Sequence, residues 1–442
     1  MNKQERTHLR GARGQAFADL IRGIPRERIL CVSLDVSKYF HVVMIHNGLG
    51  EIVTPPFEID IYQSGFDQLQ HAIEQAQAET QAKVVLIGME PTGHYFENLA
   101  RQLVAHSRPV TLINSYAVKN NRHQQLMQRQ KNDEIDVAAI GDLLQRGQGT
   151  PYRPLTGVYL KLQQLDRHRL ALVKSQSQKK NRIIGHMDRI FPGLVLTNKA
   201  ARERYEPLFK TDFWACQTLQ HLIRICPNPH RLIAMSPEGL AKAFRQHGAR
   251  MGVATAARIL EYARKTLLPD PELAEIRSQC LQQDLALLES IQAQIAELEK
   301  IETDLLAQTP YQVWATLKGL SPVQAASLAA AIGPPENYCH AGQIVRRAGL
   351  VSSCNDSGTR QRKGKGGHIT KVGDAFLRRA LMNAASSLTM HQPILARYFH
   401  KKIREKEPSV ARVATARKAL HILWATLQDG YSRSLITQEP SS

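Results

Sequence analysis

The chain has 442 residues, with 58 Lys and Arg against 39 Asp and Glu, so its formal net charge is +19. This length exceeds one comfortable hydrophobic core, and we expect two main domains joined by a helical connector. The positive charge favours a polyanionic partner, most simply nucleic acid. No apolar run suits a membrane span, the basic start does not resemble a signal peptide, and the six cysteines form no CxxC pair. We therefore expect a cytoplasmic protein with reduced thiols and no membrane contact.

Residues 1–28 form a basic N-terminal arm that we expect to be flexible in isolation. Its arginines are Arg6, Arg10, Arg13, Arg22, Arg26 and Arg28. Such an arm is either a solvated tail or a contact for phosphates, and the sequence leaves both open.

Residues 29–150 form the first predicted domain. Hydrophobic periodicity predicts strands at 28–38, 39–46, 51–59, 83–89 and 109–113, and helices at 63–81, 95–105 and 115–145. The order is therefore β-β-β-α-β-α-β-α. Because helical crossovers join parallel strands, this order predicts one mixed sheet with helices on its faces.

Four carboxylates lie at the ends of these elements. Asp35 ends the first strand, Glu90 follows the fourth, and Asp133 and Asp136 share one helix face. An unpaired carboxylate is costly in a core, so Asp35 needs a cation or a hydrogen-bond network. Converging carboxylates are the ligands that Mg²⁺ prefers. The alternative is a set of unrelated surface acids.

The segments DVSK, EPTGHY and KNDEIDVAAI resemble the Asp-Glu-Asp-Asp signature of the IS110 family of insertion-sequence transposases. This resemblance implies an RNase H-like, RuvC-type N-terminal domain in which Asp35, Glu90, Asp133 and Asp136 are catalytic. The last motif departs from the family pattern at Asn132 and Val137. Neither position supplies a carboxylate, so the metal assignment is unaffected.

A helical connector is predicted at residues 151–193 and 268–308, after a linker at 150–154. Residues 194–267 between the two parts are interpreted as a helical insertion without an assigned function. The second part has apolar residues at coiled-coil spacing, namely Leu281, Leu288, Ile291, Ile295, Leu298 and Leu305. Because Asp284 and Glu302 interrupt the seam, this helix can equally form an antiparallel hairpin with residues 158–189. The resemblance implies a coiled coil that pairs protomers, as a homodimer or tetramer.

A mostly helical C-terminal domain is predicted at residues 309–442. It begins with a segment similar to a helix-hairpin-helix around residues 319–322, in which Ser321 replaces a usual glycine. A glycine-rich loop and its flanking helices then supply nine bases: Arg346, Arg347, Arg360, Arg362, Lys363, Lys365, Lys371, Arg378 and Arg379. Composition alone leaves this region as either a solvated loop or a surface for a phosphate backbone.

The segments AGLVSSCNDSG and HITKVGDAFLRRALMNAA resemble the second signature of the same family, which carries a serine nucleophile. The matching residue is Ser357, and Gly358 beside it permits close backbone approach. Ser352 and Ser353 are rivals in the same loop. A serine that attacks a phosphodiester needs neighbouring cations, and Arg360, Arg362 and Lys363 are suitably placed in sequence.

The resemblance implies a bacterial transposase that cuts and rejoins donor and target DNA with Mg²⁺ and is guided by a bridge RNA. It also implies association with the nucleoid when DNA is bound. Two alternatives stay open. One is a metal-dependent junction-resolving nuclease that uses water as its nucleophile, and the other is a catalytically inert nucleic-acid-binding protein.

Overall fold

The computed structural model describes residues 11–124, 132–196, 199–205, 207–209, 211–351, 369 and 372–428. The chain divides into two compact units, Met1–Pro154 and Leu155–Ser442. No helix among the described residues is long and apolar enough to cross a membrane.

The first unit is built on a six-stranded sheet in the order β3-β2-β1-β4-β5-β6. The strands are β1 Ile29–Val36, β2 Phe40–Asn47, β3 Ile52–Asp60, β4 Val84–Met89, β5 Val110–Leu112 and β6 Thr150–Pro151. Strand β1 pairs with β4 in parallel and with β2 antiparallel, and β4 pairs with β5 in parallel. The predicted mixed sheet is therefore confirmed. The residues expected to start a linker instead form β6, which pairs antiparallel with β5.

The described residues of this unit form five helices: α1 Gly11–Ile21, α2 Gln63–Thr80, α3 Phe96–Ala105, α4 Ser115–Gln124 and α5 Asp133–Gln145. A 3-10 turn at Arg26–Arg28 precedes β1. The prediction of one helix over 115–145 is wrong at Asn132, whose extended backbone (φ −140°, ψ 143°) caps the start of α5. The arm is also ordered from α1 onward, because Phe17 and Ile21 pack against Ile29, Leu86 and Leu144.

Alternation along β1 separates the two faces of the sheet. Leu30, Val32 and Leu34 point into the main core, which α2 and α3 also line. The residues between them, including Ser33 and Asp35, belong to the opposite face, which α5 covers. Asp35 is therefore on the α5 face.

In the second unit, two long helices pack against each other: α6 Gly157–Ile190 and α12 Pro271–Leu306. They run antiparallel, since Arg169 near the start of α6 contacts Glu302 near the end of α12. Asp284, the other acid that interrupts the apolar seam, contacts Lys179 and Arg182. The antiparallel hairpin therefore describes the packing within one chain. Both acids that interrupt the apolar seam are paired with basic side chains of α6.

The interpreted insertion forms a helical lobe whose core includes residues of α6 and α12. Its helices are α7 Lys199–Arg204, α8 Gln217–Ile225, α9 Pro229–Ile233, α10 Pro237–Gln246 and α11 Val253–Lys265, with a 3-10 turn at Phe213–Ala215. Phe213, Leu222 and Phe244 pack with Ile183 of α6 and Leu285 of α12. The lobe is therefore anchored on one end of the hairpin.

The remaining helices form the C-terminal part of the second unit. They are α13 Pro322–Ile332, α14 Ala341–Arg347, α15 Ala375–His391, α16 Pro393–Glu405 and α17 Pro408–Gln428, with 3-10 turns at Pro310–Thr316 and Pro335–Asn337. Helix α13 is buried from Ala325 onward. The indole N–H of Trp314 donates to the Leu423 carbonyl at 2.9 Å, tying the first turn to α17. The predicted class, a mixed α/β domain followed by a mostly helical region, is confirmed.

Candidate active site

Asp35 and Glu90 lie at the same edge of the sheet, because β1 and β4 are parallel neighbours. Asp35 is half-buried and stands opposite Val42 of β2. Glu90 directly follows β4, and its backbone N–H donates to the Leu34 carbonyl at 3.4 Å. Since Gly88 contacts α5, alternation places Glu90 on the α5 face as well. Two predicted ligands thus share one face and one edge.

Helix α5 supplies the other two acids. The Asn132 side chain accepts a hydrogen bond from the Glu134 N–H at 3.3 Å, which fixes where the helix begins. Asp133 is therefore the first helical residue and is exposed, whereas Asp136 is only 4% exposed. The two acids were expected to share one helix face, but Asp133 faces solvent and Asp136 faces the interior.

Gly141 sets how closely α5 approaches the sheet. A methyl group there would overlap His46 and Ser33, so only glycine permits this contact. Because Leu144 contacts Gly88 and Val137 packs with Val42, α5 runs opposite to β1. The five residues from Gly141 back to Asp136 span about 7.5 Å. The two residues from Ser33 to Asp35 span about 6.6 Å. The beginning of α5 therefore lies at the Asp35 end of β1.

His46 on this face is a packing residue. Its Nδ1 lies 2.8 Å from the Asn47 carbonyl oxygen, and burial lowers its pKa from the ordinary value of 6.5. His46 is therefore a neutral imidazole packed against Gly141. This position suits a packing role and not proton transfer with a substrate.

Asp136 has a partner that the sequence analysis did not identify. The Arg122 guanidinium of α4 forms an ion pair with Asp136, and the two side chains are 12% and 6% exposed. A buried carboxylate requires such a cation. The buried position of Asp136 on α5 was the available signal, but nothing in the spacing singles out Arg122 among its neighbours.

The four acids do not form a compact ligand cluster. Across the part of the chain that the structure describes, no group of three or more His, Cys, Asp and Glu side chains is placed to hold a metal ion. The donor chemistry still fits Mg²⁺, because the four carboxylates come from three elements that meet at one edge of one sheet face. The metal site stays a prediction.

Most of the predicted C-terminal site lies outside the described residues. This holds for Ser352, Ser353, Ser357, Arg360, Arg362, Lys363, Lys365 and Lys371.

Four of the nine predicted phosphate-binding bases are described, and they divide into two kinds. Arg346 and Arg379 are exposed. Arg347 donates to the Ile332 carbonyl at 2.8 Å and contacts Asp374 at 3.3 Å. Arg378 donates to the Ala348 carbonyl at 2.9 Å. Arg347 and Arg378 therefore help hold the domain together, and Arg346 and Arg379 are the more accessible to a phosphate.

The segment around Gly319 has an internal explanation for its sequence. Gly319 has a φ of +94°, and a Cβ there would lie 2.6 Å from the His391 Cβ. Ser321 caps α13 and forms a capping box with Gln324. Close packing and helix capping account for these residues without a bound phosphate.

Family models decide the relationship of the chain to known proteins. An IS110-type DEDD transposase model matches residues 32–192, and a model described as the transposase IS116/IS110/IS902 family matches residues 311–400. Together the matches cover more than half of the chain. The chain belongs to the IS110 family of transposases. No curated protein matches it.

The two matches separate the predicted metal-binding acids of the transposase from its predicted serine nucleophile. The first contains all four predicted metal-binding acids, and the second contains Ser357 and all nine predicted phosphate-binding bases. Residues 193–310 of this IS110-family protein lie between them. That interval contains the helical lobe and all of α12.

Proposed function

We propose that this transposase cuts and rejoins DNA through a phosphoserine intermediate at Ser357, assisted by Mg²⁺ at the acidic tetrad. The observation that carries the proposal is the placement of Asp35, Glu90 and the start of α5 at one edge of one sheet face. Both family matches support DNA recombination as the overall activity.

The serine step is a transesterification. Ser357 Oγ loses its proton to a base, forms a bond to the scissile phosphorus, and displaces one strand end as a hydroxyl. A hydroxyl of the new DNA partner then attacks the phosphoserine and releases Ser357. Arg360, Arg362 and Lys363 would offset the charge on the phosphorane oxygens. No water is consumed, so the phosphodiester energy is retained for joining.

Asp35, Glu90, Asp133 and Asp136 would hold Mg²⁺, which when bound polarises the scissile phosphate. The chain supports this with two buried contacts. Arg122 pairs with the Oδ1 atom of Asp136, and Gly141 allows α5 to pack closely on the sheet. These contacts orient the acids before DNA arrives.

Transposition of a marked element tests the proposal directly. Wild type, Asp35→Asn and Ser357→Ala should be compared in one host, with protein levels measured by immunoblot. We expect both variants to lose transposition. If Ser357→Ala transposes normally, the junction-resolving nuclease with water as nucleophile is the better description. If Asp35→Asn also does so, the acidic tetrad is not catalytic.

We further propose that a bridge RNA selects the DNA sites and that the transposase acts in the bacterial cytoplasm on nucleoid DNA. The support is indirect: the positive charge is spread over the chain, and the sequence has no zinc-finger spacing or evident recognition helix. Protein purified from cells that carry the whole element should be treated with ribonuclease before donor and target DNA are added. Recombination at the same sites and rate after treatment would overturn the RNA requirement.

We propose that α12 also pairs protomers into a homodimer or tetramer. Beside its buried face, α12 carries Leu287, Ile291, Leu298 and Ile301 at coiled-coil spacing, interrupted by Gln294. Leu287 is 50% exposed and Ile301 is 39% exposed. An apolar stripe of this kind suits a second copy of the helix. Dimerisation would also allow Asp35 of one protomer to act with Ser357 of its partner.

A further inference from the structure

The helical lobe carries a basic surface that neither family model includes. This surface, which we call the basic hairpin, comprises the outer side of α10, the connection 247–252 and the start of α11. Lys242, Arg245 and Arg250 are exposed there, and their side chains form no ion pair or hydrogen bond with the described part of the chain. From Lys242 to Leu260 the sequence contains no Asp or Glu. No acidic residue within this stretch therefore offsets the charge.

Four other exposed bases of the lobe, by contrast, have partners. Arg224 pairs with Glu289 at 2.8 Å, and Arg231 pairs with Glu275 at 2.7 Å. Lys265 pairs with Glu261 at 2.5 Å. Arg258 donates to the Leu208 carbonyl at 2.9 Å. The bases of the basic hairpin thus differ from these neighbouring bases, because they form no ion pair or hydrogen bond with the described part of the chain.

The backbone of the basic hairpin is open to a large partner. Gly248 and Gly252 would meet nothing within 4 Å if each carried a Cβ, so internal crowding does not explain either glycine. Gly248 has a φ of +72°, which favours glycine at the end of α10. Gly252 has an ordinary φ of −75°. Its missing side chain leaves the surface flat beside Arg250.

The core beneath the basic hairpin fixes the helices that carry the basic side chains. Leu240 and Phe244 of α10 and Ala256 and Ile259 of α11 are completely buried. Lys242 and Arg245 lie three residues apart, on the same side of α10, where like charges repel. A surface of unpaired bases on a well-packed pair of helices suits a partner with regularly spaced negative charges.

We propose that the basic hairpin binds the phosphate backbone of duplex DNA and gives the transposase a DNA contact outside its catalytic domains. Charge complementarity and the DNA substrates of the family select this partner. The inference rests on DNA being the substrate and does not depend on the serine or metal chemistry. Backbone contacts of this kind add affinity without reading sequence.

The test uses full-length protein, a fluorescent DNA duplex of roughly 30 base pairs, and a chelator that prevents cleavage. A triple variant, Lys242→Gln, Arg245→Gln and Arg250→Gln, is compared with a control, Arg224→Gln, Arg231→Gln and Lys265→Gln. Both lose three positive charges from the same lobe. Circular dichroism and thermal melting establish that each variant is folded.

We expect the hairpin variant to weaken DNA binding and to lower the slope of log Kd against log salt by about 2 to 3, at roughly 0.9 per phosphate contact. The control should change the slope by less than half as much. Equal changes in the two variants would overturn the proposal, because net charge would then explain both. Loss of binding to a structured RNA with unchanged DNA binding would overturn it as well.

Discussion

Arg169 of α6 and Glu302 of α12 form a buried ion pair, with Nε 2.9 Å from Oε2. Arg169 also donates to Asp166 at 2.6 Å and to Ser327 at 2.8 Å. The network therefore joins α6, α12 and α13 inside the second unit. Burial raises the pKa of Glu302 to about 7, although the nearby Arg169 opposes this shift.

The Glu302 shift predicts a pH dependence of stability. Because the pKa is raised from 4.5 on folding, its contribution is fully present below pH 4.5 and is lost as pH rises through about 7. The loss is at most about 3 kcal/mol. Glu302→Gln should remove this decline in the free energy of unfolding, measured by denaturant titration between pH 4.5 and 8. Glu299→Gln, on the same helix but 39% exposed, is the matched control and should retain it.

Gly141 is predicted to be intolerant of a methyl group. Gly→Ala in a helix usually stabilises by up to about 1 kcal/mol. At Gly141 the methyl would overlap His46 and Ser33, so Gly141→Ala should instead lower the melting temperature and slow strand cleavage by displacing α5. Gly185→Ala is the control, since nothing lies within 4 Å of that position. Equal melting temperatures for the two variants would contradict the close approach of α5.

Arg122 is predicted to position Asp136. Arg122→Ala leaves a buried carboxylate without its cation, which typically costs about 3 to 5 kcal/mol. We expect a lower melting temperature and a higher Mg²⁺ concentration for half-maximal cleavage. Arg122→Lys should recover part of both, because it keeps the charge. If Arg122→Lys restores the melting temperature but Mg²⁺ dependence never differs among the three proteins, the ion pair is only structural.

The apolar stripe of α12 that contains Leu287, Ile291, Leu298 and Ile301 is predicted to pair protomers. Leu287→Glu combined with Ile301→Glu should raise the dimer dissociation constant at least tenfold in analytical ultracentrifugation, because charges would face each other across an apolar seam. Leu267→Glu is the control, since Leu267 is 84% exposed and precedes the helix. Mixing Asp35→Asn with Ser357→Ala should also restore some activity if the site is shared. A failure to complement would favour a site within one chain.

Much of the fold followed from periodicity, and the exceptions have physical causes. The order of strands in sequence and the strand-end positions of Asp35 and Glu90 were predictable, because alternation and turns are local signals. The break at Asn132 was missed, although Asn before three acids is a helix-start pattern. Arg122 could not be predicted, since many bases compete for one buried carboxylate. The sequence also left Asp284 and Glu302 open between two arrangements, and only tertiary packing with α6 distinguishes them within one chain.

The central claim is that Ser357 forms a covalent bond to DNA. Labelled donor DNA should be incubated with wild type, Ser357→Ala, Ser352→Ala and Ser353→Ala, denatured, and separated by gel electrophoresis before and after protease digestion. We predict a denaturant-resistant, protease-sensitive adduct for wild type and for the Ser352 and Ser353 variants, and none for Ser357→Ala. An adduct that persists in Ser357→Ala would contradict the proposed nucleophile.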